Sequence, residues 1–211
     1  MKIAIIANGS INKAEKIKTK IPKLDMVICC DGGVRHLKNL GLEPDLIIGD
    51  FDSVNEQLLE KYHKKGVPIR TYPKVKDETD TEIAANTAIE LGASHVVLLG
   101  ALGYRWDHSY ANIMVLVKLA KQGINAVILD SNNQIQVSNT FLFLTGKKGQ
   151  IISLLPLGED VSILSTKGLR YPIENQKLPL DAPYGISNIF IEEKAEIKIK
   201  SGWLLAVLAE D

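Results

Sequence analysis

The sequence has little cysteine, no long apolar run and no net charge. Its two cysteines, Cys29 and Cys30, are neighbours, so in an extended segment their side chains point to opposite faces. They match neither a metal-binding pattern nor a C-x-x-C redox pair, so we expect reduced thiols and a cytoplasmic location. The first apolar run spans only residues 3–7, which is too short for a signal-peptide core or a membrane span. We therefore expect no membrane segment.

Charge balance and missing phosphate-binding signatures exclude further classes of protein. Lys plus Arg and Asp plus Glu number 25 each, so no overall field would draw the chain to nucleic acid or to a membrane surface. No segment reads G-x-x-x-x-G-K-[ST] or G-x-G-x-x-G, which argues against a P-loop enzyme and a dinucleotide-binding fingerprint. With 211 residues, 45% of them hydrophobic, the chain can build one large core or two small ones.

The first part of the chain alternates short apolar runs with helical segments. The runs are 3–7, 26–30, 46–48, 68–72, 96–99 and 126–129, and the helical segments are 13–20, 33–40, 55–64, 79–91 and 108–122. Strands separated by helices of this length predict βαβ units, a largely parallel sheet and helices on both faces. In such α/β sheets ligands gather at the carboxyl ends of the strands.

The pattern changes after a cluster of turn residues at 131–133. From there the chain has short β-prone runs at 134–137, 150–155, 161–165, 188–193, 196–200 and 204–208, separated by glycine and proline. This texture is typical of a small antiparallel β domain, and we expect a β-sandwich. The predicted organisation is an α/β catalytic domain over residues 1–131 and a β-sandwich domain over residues 132–211.

Two carboxylates follow the third apolar run. Asp50 and Asp52 are separated by a single residue, and side chains at i and i+2 of an extended segment share a face. Two carboxylates held close repel each other unless a proton or a cation lies between them. A hard cation such as Mg²⁺, which also binds phosphate oxygens and water, would relieve that repulsion. The alternative is an ordinary turn, because Asp, Gly and Ser are common loop residues after a strand.

Two further acidic segments border the same predicted edge of the sheet. Before the fourth helix, Thr79 and Glu82 form a capping-box pattern, while Asp77 and Asp80 are spaced so that both could face the edge and complete the ligand set of a cation. After the second strand, Asp31 is either a turn residue or a contact to the nucleotide or metal, and the residues alone do not separate these roles.

A glycine-bearing loop leads from the fifth strand into the fifth helix. Glycines let the backbone approach phosphate closely, and a helix N-terminus offers free N–H groups. Arg105 could bind phosphate oxygens through its guanidinium group. By local pattern, Asp107 would be the N-cap of the helix and His108 a solvated residue of the first turn.

These segments resemble, in order and spacing, those of bacterial thiamine pyrophosphokinases. The segments are Cys30-Asp31-Gly32-Gly33, Gly49-Asp50-Phe51-Asp52-Ser53, Lys76-Asp77-Glu78-Thr79-Asp80, Arg105-Trp106-Asp107-His108, Gly168-Leu169-Arg170-Tyr171-Pro172 and Gly185-Ile186-Ser187-Asn188. The resemblance implies Mg²⁺-dependent transfer of diphosphate from ATP to the hydroxyethyl group of thiamine, giving thiamine diphosphate and AMP. It also implies a homodimer with the active site at the subunit interface.

The resemblance implies a role for each matching residue. Asp50, Asp52 and Asp80 match the metal-binding acids, and with Arg105 and Asp107 they form the implied catalytic set. The residues on the ATP side are Asp31, Asp77, Arg105 and His108. Ser187 and Asn188 match the segment that meets the thiamine pyrimidine. Tyr104 departs from the family, which usually has a second glycine before the arginine.

Three other interpretations remain open at this point. The same chemistry could serve another heteroaromatic alcohol, such as a pterin, because only the β domain would select the acceptor. The D-x-D pattern could hold the metal of a sugar-nucleotide glycosyltransferase, although that leaves Asp80 and the Arg105 loop unexplained. A non-catalytic binding protein on the same scaffold would usually lack the acids that are present here.

Overall fold

A computed structural model describes residues 1–52, 54 and 56–210 of the chain, which divides into two compact units, Met1–Ser131 and Asn132–Asp211. Ser53, in the D-x-D motif, and Asn55, at the predicted start of the third helix, lie outside the described residues. No helix in the described part of the chain is both long and apolar enough to cross a membrane.

The first unit is a parallel sheet of six strands connected by helices. Its elements are β1 (Lys2–Ile6), α1 (Ala14–Lys18), β2 (Met26–Cys30), α2 (Val34–Leu40), β3 (Leu46–Gly49), α3 (Glu56–Lys64), β4 (Ile69–Thr71), α4 (Asp80–Glu90), β5 (His95–Leu99), α5 (Trp106–Lys121) and β6 (Asn125–Leu129). The strand order is β6-β5-β1-β2-β3-β4, and every neighbouring pair is parallel. The predicted α/β class is confirmed.

Helices cover both faces of this sheet. Alternate strand residues, including Ala4, Ile6 and Cys29, pack in one cluster with Ile17 of α1, and side chains of α2 and α3 join the same cluster. Because side chains alternate along a strand, the intervening residues face the other side, where α4 packs on β1, β2 and β3. Burial on both faces explains why the strands are nearly continuous runs of aliphatic residues.

The second unit is built from antiparallel strands. They are β7 (Asn133–Ser138), β8 (Phe141–Thr145), β9 (Ile151–Lys167), β10 (Glu174–Leu178), β11 (Asn188–Ile189) and β12 (Lys194–Ala209). The order β10-β9-β12-β7 forms the main path, with β8 added to β12 and β11 added to β9. Buried side chains from β8 to β12, with Phe190 the largest that is fully enclosed, form one apolar core. This arrangement confirms the expected antiparallel β region.

Two strands are longer than predicted. Apart from Gln150, the runs 150–155 and 161–165 are parts of the single strand β9, and 196–200 and 204–208 are parts of β12. Gly158 (φ 82°) and Gly202 (φ 83°) adopt the left-handed region inside β9 and β12, at a gap in the pairing between the two strands. Register shifts between Lys198 and Trp203 mark the β-bulges that absorb the irregularity.

Candidate active site

A cleft of about 660 Å³ lies at the carboxyl ends of β1, β2, β3 and β5 in the first unit. Six of the residues predicted for the site line it: Asp31, Asp50, Asp52, Asp80, Arg105 and His108. The predicted residues Asp77 and Asp107 are exposed and do not belong to the lining. The parallel sheet thus brings together residues from four separate segments, as expected where strands end at a common edge.

Glycines let the loops of this edge approach closely. Gly9 N donates to Gly100 O at 2.7 Å, and a Cβ added at Gly9 would lie 2.3 Å from that same oxygen. A Cβ at Gly49 would lie 3.0 Å from Cα of Asp31, so the segments after β2 and β3 also touch through a glycine. Larger side chains at these positions would separate the loops and change the shape of the cleft.

Backbone strain occurs at two predicted site residues and at the residue between Asp50 and Asp52. Asp31 (φ 38°), Phe51 (φ 60°) and Ser187 (φ 58°) adopt the left-handed region although none of them is glycine. Such conformations cost about 1 kcal/mol or more and persist where the surrounding structure enforces them, which is often at functional sites. Asp31 is also buried, and its Oδ2 lies 3.5 Å from Nδ2 of Asn8.

Two lysines pair with the acids of the cleft. Lys74 Nζ donates to Oδ2 of Asp52, and Lys76 Nζ lies 2.8 Å from Oδ1 of Asp80. The hydrogen bond to Asp52 raises the pKa of Lys74 above its usual value, and the charge of Asp50 raises it further. Both lysines line the cleft, and the sequence analysis assigned neither to the site, although Lys76 begins one of the segments that carry the resemblance. The sequence signal that could have identified them is their i, i+2 spacing, which is also the spacing of Asp50 and Asp52.

The donor set suits a hard cation. Asp50, Asp52 and Asp80 offer carboxylate oxygens, which Mg²⁺ prefers, and Oδ1 of Asp50 already accepts from the backbone N of Asp52 at 3.2 Å. Within residues 1–52, 54 and 56–210, no three His, Cys, Asp or Glu side chains converge as a metal-ligand group. The ammonium groups of Lys74 and Lys76 hold two of the three acids. The Mg²⁺ assignment therefore stays a prediction that the chemistry of the donors supports.

The loop after β5 presents Arg105 in a defined position. Arg105 donates to Asp107 through Nη2 at 2.6 Å and Nε at 3.3 Å, and this contact lowers the pKa of the Asp107 carboxyl. Ser109 fixes the loop, because its Oγ accepts from Gly103 N at 3.1 Å and donates to Arg105 O at 3.1 Å. The predicted N-cap at Asp107 is wrong: Arg105 occupies that position and Asp107 lies inside the first turn.

The N-terminus of α4 agrees better with its prediction. Thr79 is the N-cap, and its side chain accepts from Glu82 N at 3.2 Å. The Glu82 side chain pairs instead with Lys118, so only half of the capping box forms. Asp80 is the first helical residue and lines the cleft, which shows that a capped helix start and a cleft-facing acid are compatible.

Arg35 and His36, which sequence analysis did not assign to the site, hold the loop after β1. Arg35 Nη2 donates to the carbonyl oxygens of Asn8 at 2.7 Å and Gly9 at 3.2 Å, and His36 Nε2 lies 2.8 Å from Gly9 O. Burial lowers the pKa of His36, which favours the neutral ring with its Nε2–H donating to Gly9. Both residues lie in the first turn of α2, which begins at Val34 directly after the Asp31-Gly32-Gly33 motif.

In the second unit, Asn188 ties together the two segments that carried the family resemblance there. Its buried Oδ1 accepts from Tyr171 N at 3.0 Å and Ile189 N at 2.8 Å, and its Nδ2 donates to Tyr171 O at 2.7 Å. The amide is thus engaged with the backbone of its own unit. Ser187 is exposed, and its backbone N donates to Ser153 Oγ at 3.2 Å. Their assignment to the thiamine site stays a prediction.

Comparison with known proteins agrees with this geometry. Residues 17–128 match the model of the thiamin pyrophosphokinase catalytic domain, and residues 132–204 match that of the thiamin pyrophosphokinase vitamin B1 binding domain. The chain belongs to the thiamin pyrophosphokinase family, and the resemblance seen in the sequence is confirmed.

Individual relatives match over the whole chain. The thiamine pyrophosphokinase of Bacillus subtilis is 28% identical over 211 residues, covering 99% of each chain. The crystal structure of thiamine pyrophosphokinase from Bacillus subtilis superposes with a TM-score of 0.88 at 27% identity, with complete coverage of both chains. That of thiamin pyrophosphokinase from Geobacillus thermodenitrificans gives 0.85 at 25% identity, covering 100% of this chain and 98% of the other.

Proposed function

We propose that this protein catalyses the Mg²⁺-dependent transfer of diphosphate from ATP to the hydroxyethyl group of thiamine, forming thiamine diphosphate and AMP. The observation that carries the proposal is the set of acids lining one cleft, Asp31, Asp50, Asp52 and Asp80, in a chain that matches this family along its length. Residues 1–131 would bind ATP and the metal, and residues 132–211 would bind thiamine.

The reaction requires neutralisation of the triphosphate charge. The thiamine hydroxyl oxygen attacks the β-phosphorus, the new P–O bond forms, and the bond from that phosphorus to the bridging oxygen of the α-phosphate breaks, releasing AMP. Asp50, Asp52 and Asp80 would hold Mg²⁺, which supplies charge neutralisation at the phosphate oxygens when bound. Arg105 at the mouth of the cleft would add donors to the same oxygens.

The proton of the attacking hydroxyl needs only a weak acceptor, because a loose phosphoryl-transfer transition state demands little of a base. Asp107 carries a lowered pKa through its contact with Arg105, which makes it a poor base. Its role would be to orient the Arg105 guanidinium towards the cleft. Asp77, three residues before Asp80, is the other acceptor that the sequence suggests, but it is exposed and does not line the cleft, whereas Glu78 does.

The acceptor site belongs to the second unit in this proposal. Ser187 would read the polar edge of the aminopyrimidine with its exposed hydroxyl group, and Asn188 would position Ser187 by fixing the neighbouring loop. The enzyme would work as a homodimer with the active site at the subunit interface. A cytoplasmic location is part of the proposal, supported by two buried free cysteines.

A panel of acceptors tests the proposal. The protein is incubated with Mg²⁺ and ATP together with thiamine, a hydroxymethylpterin or a sugar acceptor, and the products are separated by chromatography. The proposal is supported if ATP is consumed when thiamine is the acceptor and is not consumed with the pterin or the sugar. Turnover with the pterin and not with thiamine would assign the same chemistry to a different alcohol, and transfer to the sugar would reject the diphosphotransferase assignment.

A further inference from the structure

The segment between β4 and α4 carries two lysines whose ammonium groups both meet acids of the cleft. Lys74 pairs with Asp52, which follows β3, and Lys76 pairs with Asp80, the first residue of α4. Both lysines line the same cleft as these acids. Two positive charges from one segment are thus bound to two of the three carboxylates that are candidates for the metal.

The two pairs differ in their surroundings. The Lys76 side chain is only 16% exposed and that of Asp80 22%, and Lys76 Nζ also donates to Pro73 O at 3.2 Å and lies 6.0 Å from the centre of the Tyr72 ring. A lysine this deeply placed needs charge compensation, which Asp80 provides. The Lys74 side chain is 74% exposed, so its pair with Asp52 is more easily exchanged.

In this arrangement the lysine ammonium groups compete with a divalent cation for the same carboxylates. A carboxylate that already holds an ammonium group binds a divalent cation less well, because the cation must displace the ammonium or suffer its repulsion. A triphosphate offers many anionic oxygens in the same cleft. Lysine has three donors on a flexible stem, so a released ammonium group can turn to phosphate without movement of the backbone.

We propose that Lys74 and Lys76 are exchangeable counter-ions of the cleft: they hold Asp52 and Asp80 before nucleotide arrives and then transfer to the phosphate oxygens as the acids take the metal. This inference rests on the proposed function of the cleft as a metal–triphosphate site. Metal and triphosphate binding are therefore coupled, and each is weak without the other.

Binding measurements without thiamine test the inference. Lys74→Met and Lys76→Met keep the aliphatic stem and remove the charge. Mn²⁺ binding, followed by electron paramagnetic resonance in the absence of phosphate, should become several-fold tighter in each variant, because a competing cation is gone. Binding of Mg²⁺ with inorganic tripolyphosphate, followed by calorimetry, should become about tenfold weaker for the loss of one charge-assisted hydrogen bond.

Lys65→Met is the matched control. Lys65 forms an exposed pair with Glu43 at 2.9 Å and does not line the cleft, so its removal should change neither affinity. Lys76→Arg retains the charge and should bind Mn²⁺ like the unmodified protein. If Lys76→Met unfolds, Lys74→Met still carries the test, because the Lys74 side chain is 74% exposed. Unchanged Mn²⁺ affinity, or a parallel loss of both affinities, would overturn the inference by showing that the lysines only support the fold. The probes contain no thiamine, so the result is independent of the acceptor assignment.

Discussion

Replacement of Asp80 by asparagine separates its proposed role as a metal ligand from its role as a helix-start residue. Asn has nearly the same shape and is an acceptable residue in the first turn, so the change removes a charge and little else. Asp80 lines the cleft, its side chain is 22% exposed, and Lys76 lies 2.8 Å from its Oδ1. If Asp80 binds the metal, turnover should collapse while the fold survives.

The substitution should abolish most activity and leave the protein folded. Loss of one preorganised electrostatic contact to the reacting phosphates is worth about 3 kcal/mol or more, so kcat should fall at least a hundredfold. For stability, the lost interaction with the dipole of α4 removes about 0.3–1 kcal/mol. The lost charge partner of Lys76 costs more, about 1–3 kcal/mol, because both side chains are largely buried, whereas relief of repulsion from Asp50 and Asp52 opposes the loss. The free energy of unfolding should therefore fall by about 1–3 kcal/mol while the protein still folds.

The assay combines steady-state kinetics over a range of Mg²⁺ concentrations with urea unfolding. Glu90→Gln is the matched control, because it removes the same charge from the exposed last residue of α4, about 15 Å along the helix, and should leave turnover unchanged. Near-normal kcat and Mg²⁺ dependence in Asp80→Asn would refute the reasoning and leave Asp80 as a helix-start residue only.

Three further predictions concern the glycine contacts, the acceptor loop and pH. Gly9→Ala places a Cβ 2.3 Å from Gly100 O, which would separate the two loops. It should raise the KM for ATP in steady-state kinetics and lower the free energy of unfolding by about 1–3 kcal/mol in thermal unfolding. Ser187→Ala should raise the KM for thiamine with little change for ATP, whereas Asn188→Ala should lower the free energy of unfolding by about 1–3 kcal/mol; the reverse pattern would exchange their assignments. The pKa of His36 is lowered in the folded protein, so the unfolded chain takes up a proton first and stability should fall as pH drops from about 7 to about 5.5. Urea unfolding of His36→Gln should show a smaller fall over that range.

The α/β unit could be predicted from local patterns because its strands are buried on both faces and its helices begin at recognisable residues. Strand β2 covers the predicted range 26–30, and α4 begins one residue after its cap at Thr79. The β unit was harder to predict, because pairing between distant strands decides where its elements end. Gly158 and Gly202 were taken as breaks, yet β9 and β12 pair on both sides of the register shift where these glycines lie. Strand β10 has four exposed residues in a row and gave no apolar signal.

The acids of the site could be predicted because each follows a strand or begins a helix at one edge of the sheet. The lysine partners of these acids gave only a weak signal. Their Lys-x-Lys spacing is also typical of a solvated loop, and Asp52 lies 22 residues from Lys74. Asn188 shows the opposite difficulty. Its position next to a turn suggested a substrate contact, which stays a prediction. The bonds of its amide to the backbone of Tyr171 could not be predicted, because they depend on where the neighbouring loop lies.

The most direct test of the proposed function is the identity and ratio of its products. The protein is supplied with ATP, Mg²⁺ and thiamine, and the reaction is followed by ³¹P nuclear magnetic resonance. Attack at the β-phosphorus predicts AMP and thiamine diphosphate in equal amounts throughout the time course, with no ADP. Formation of ADP with thiamine monophosphate, or release of free phosphate while thiamine remains unchanged, would contradict it.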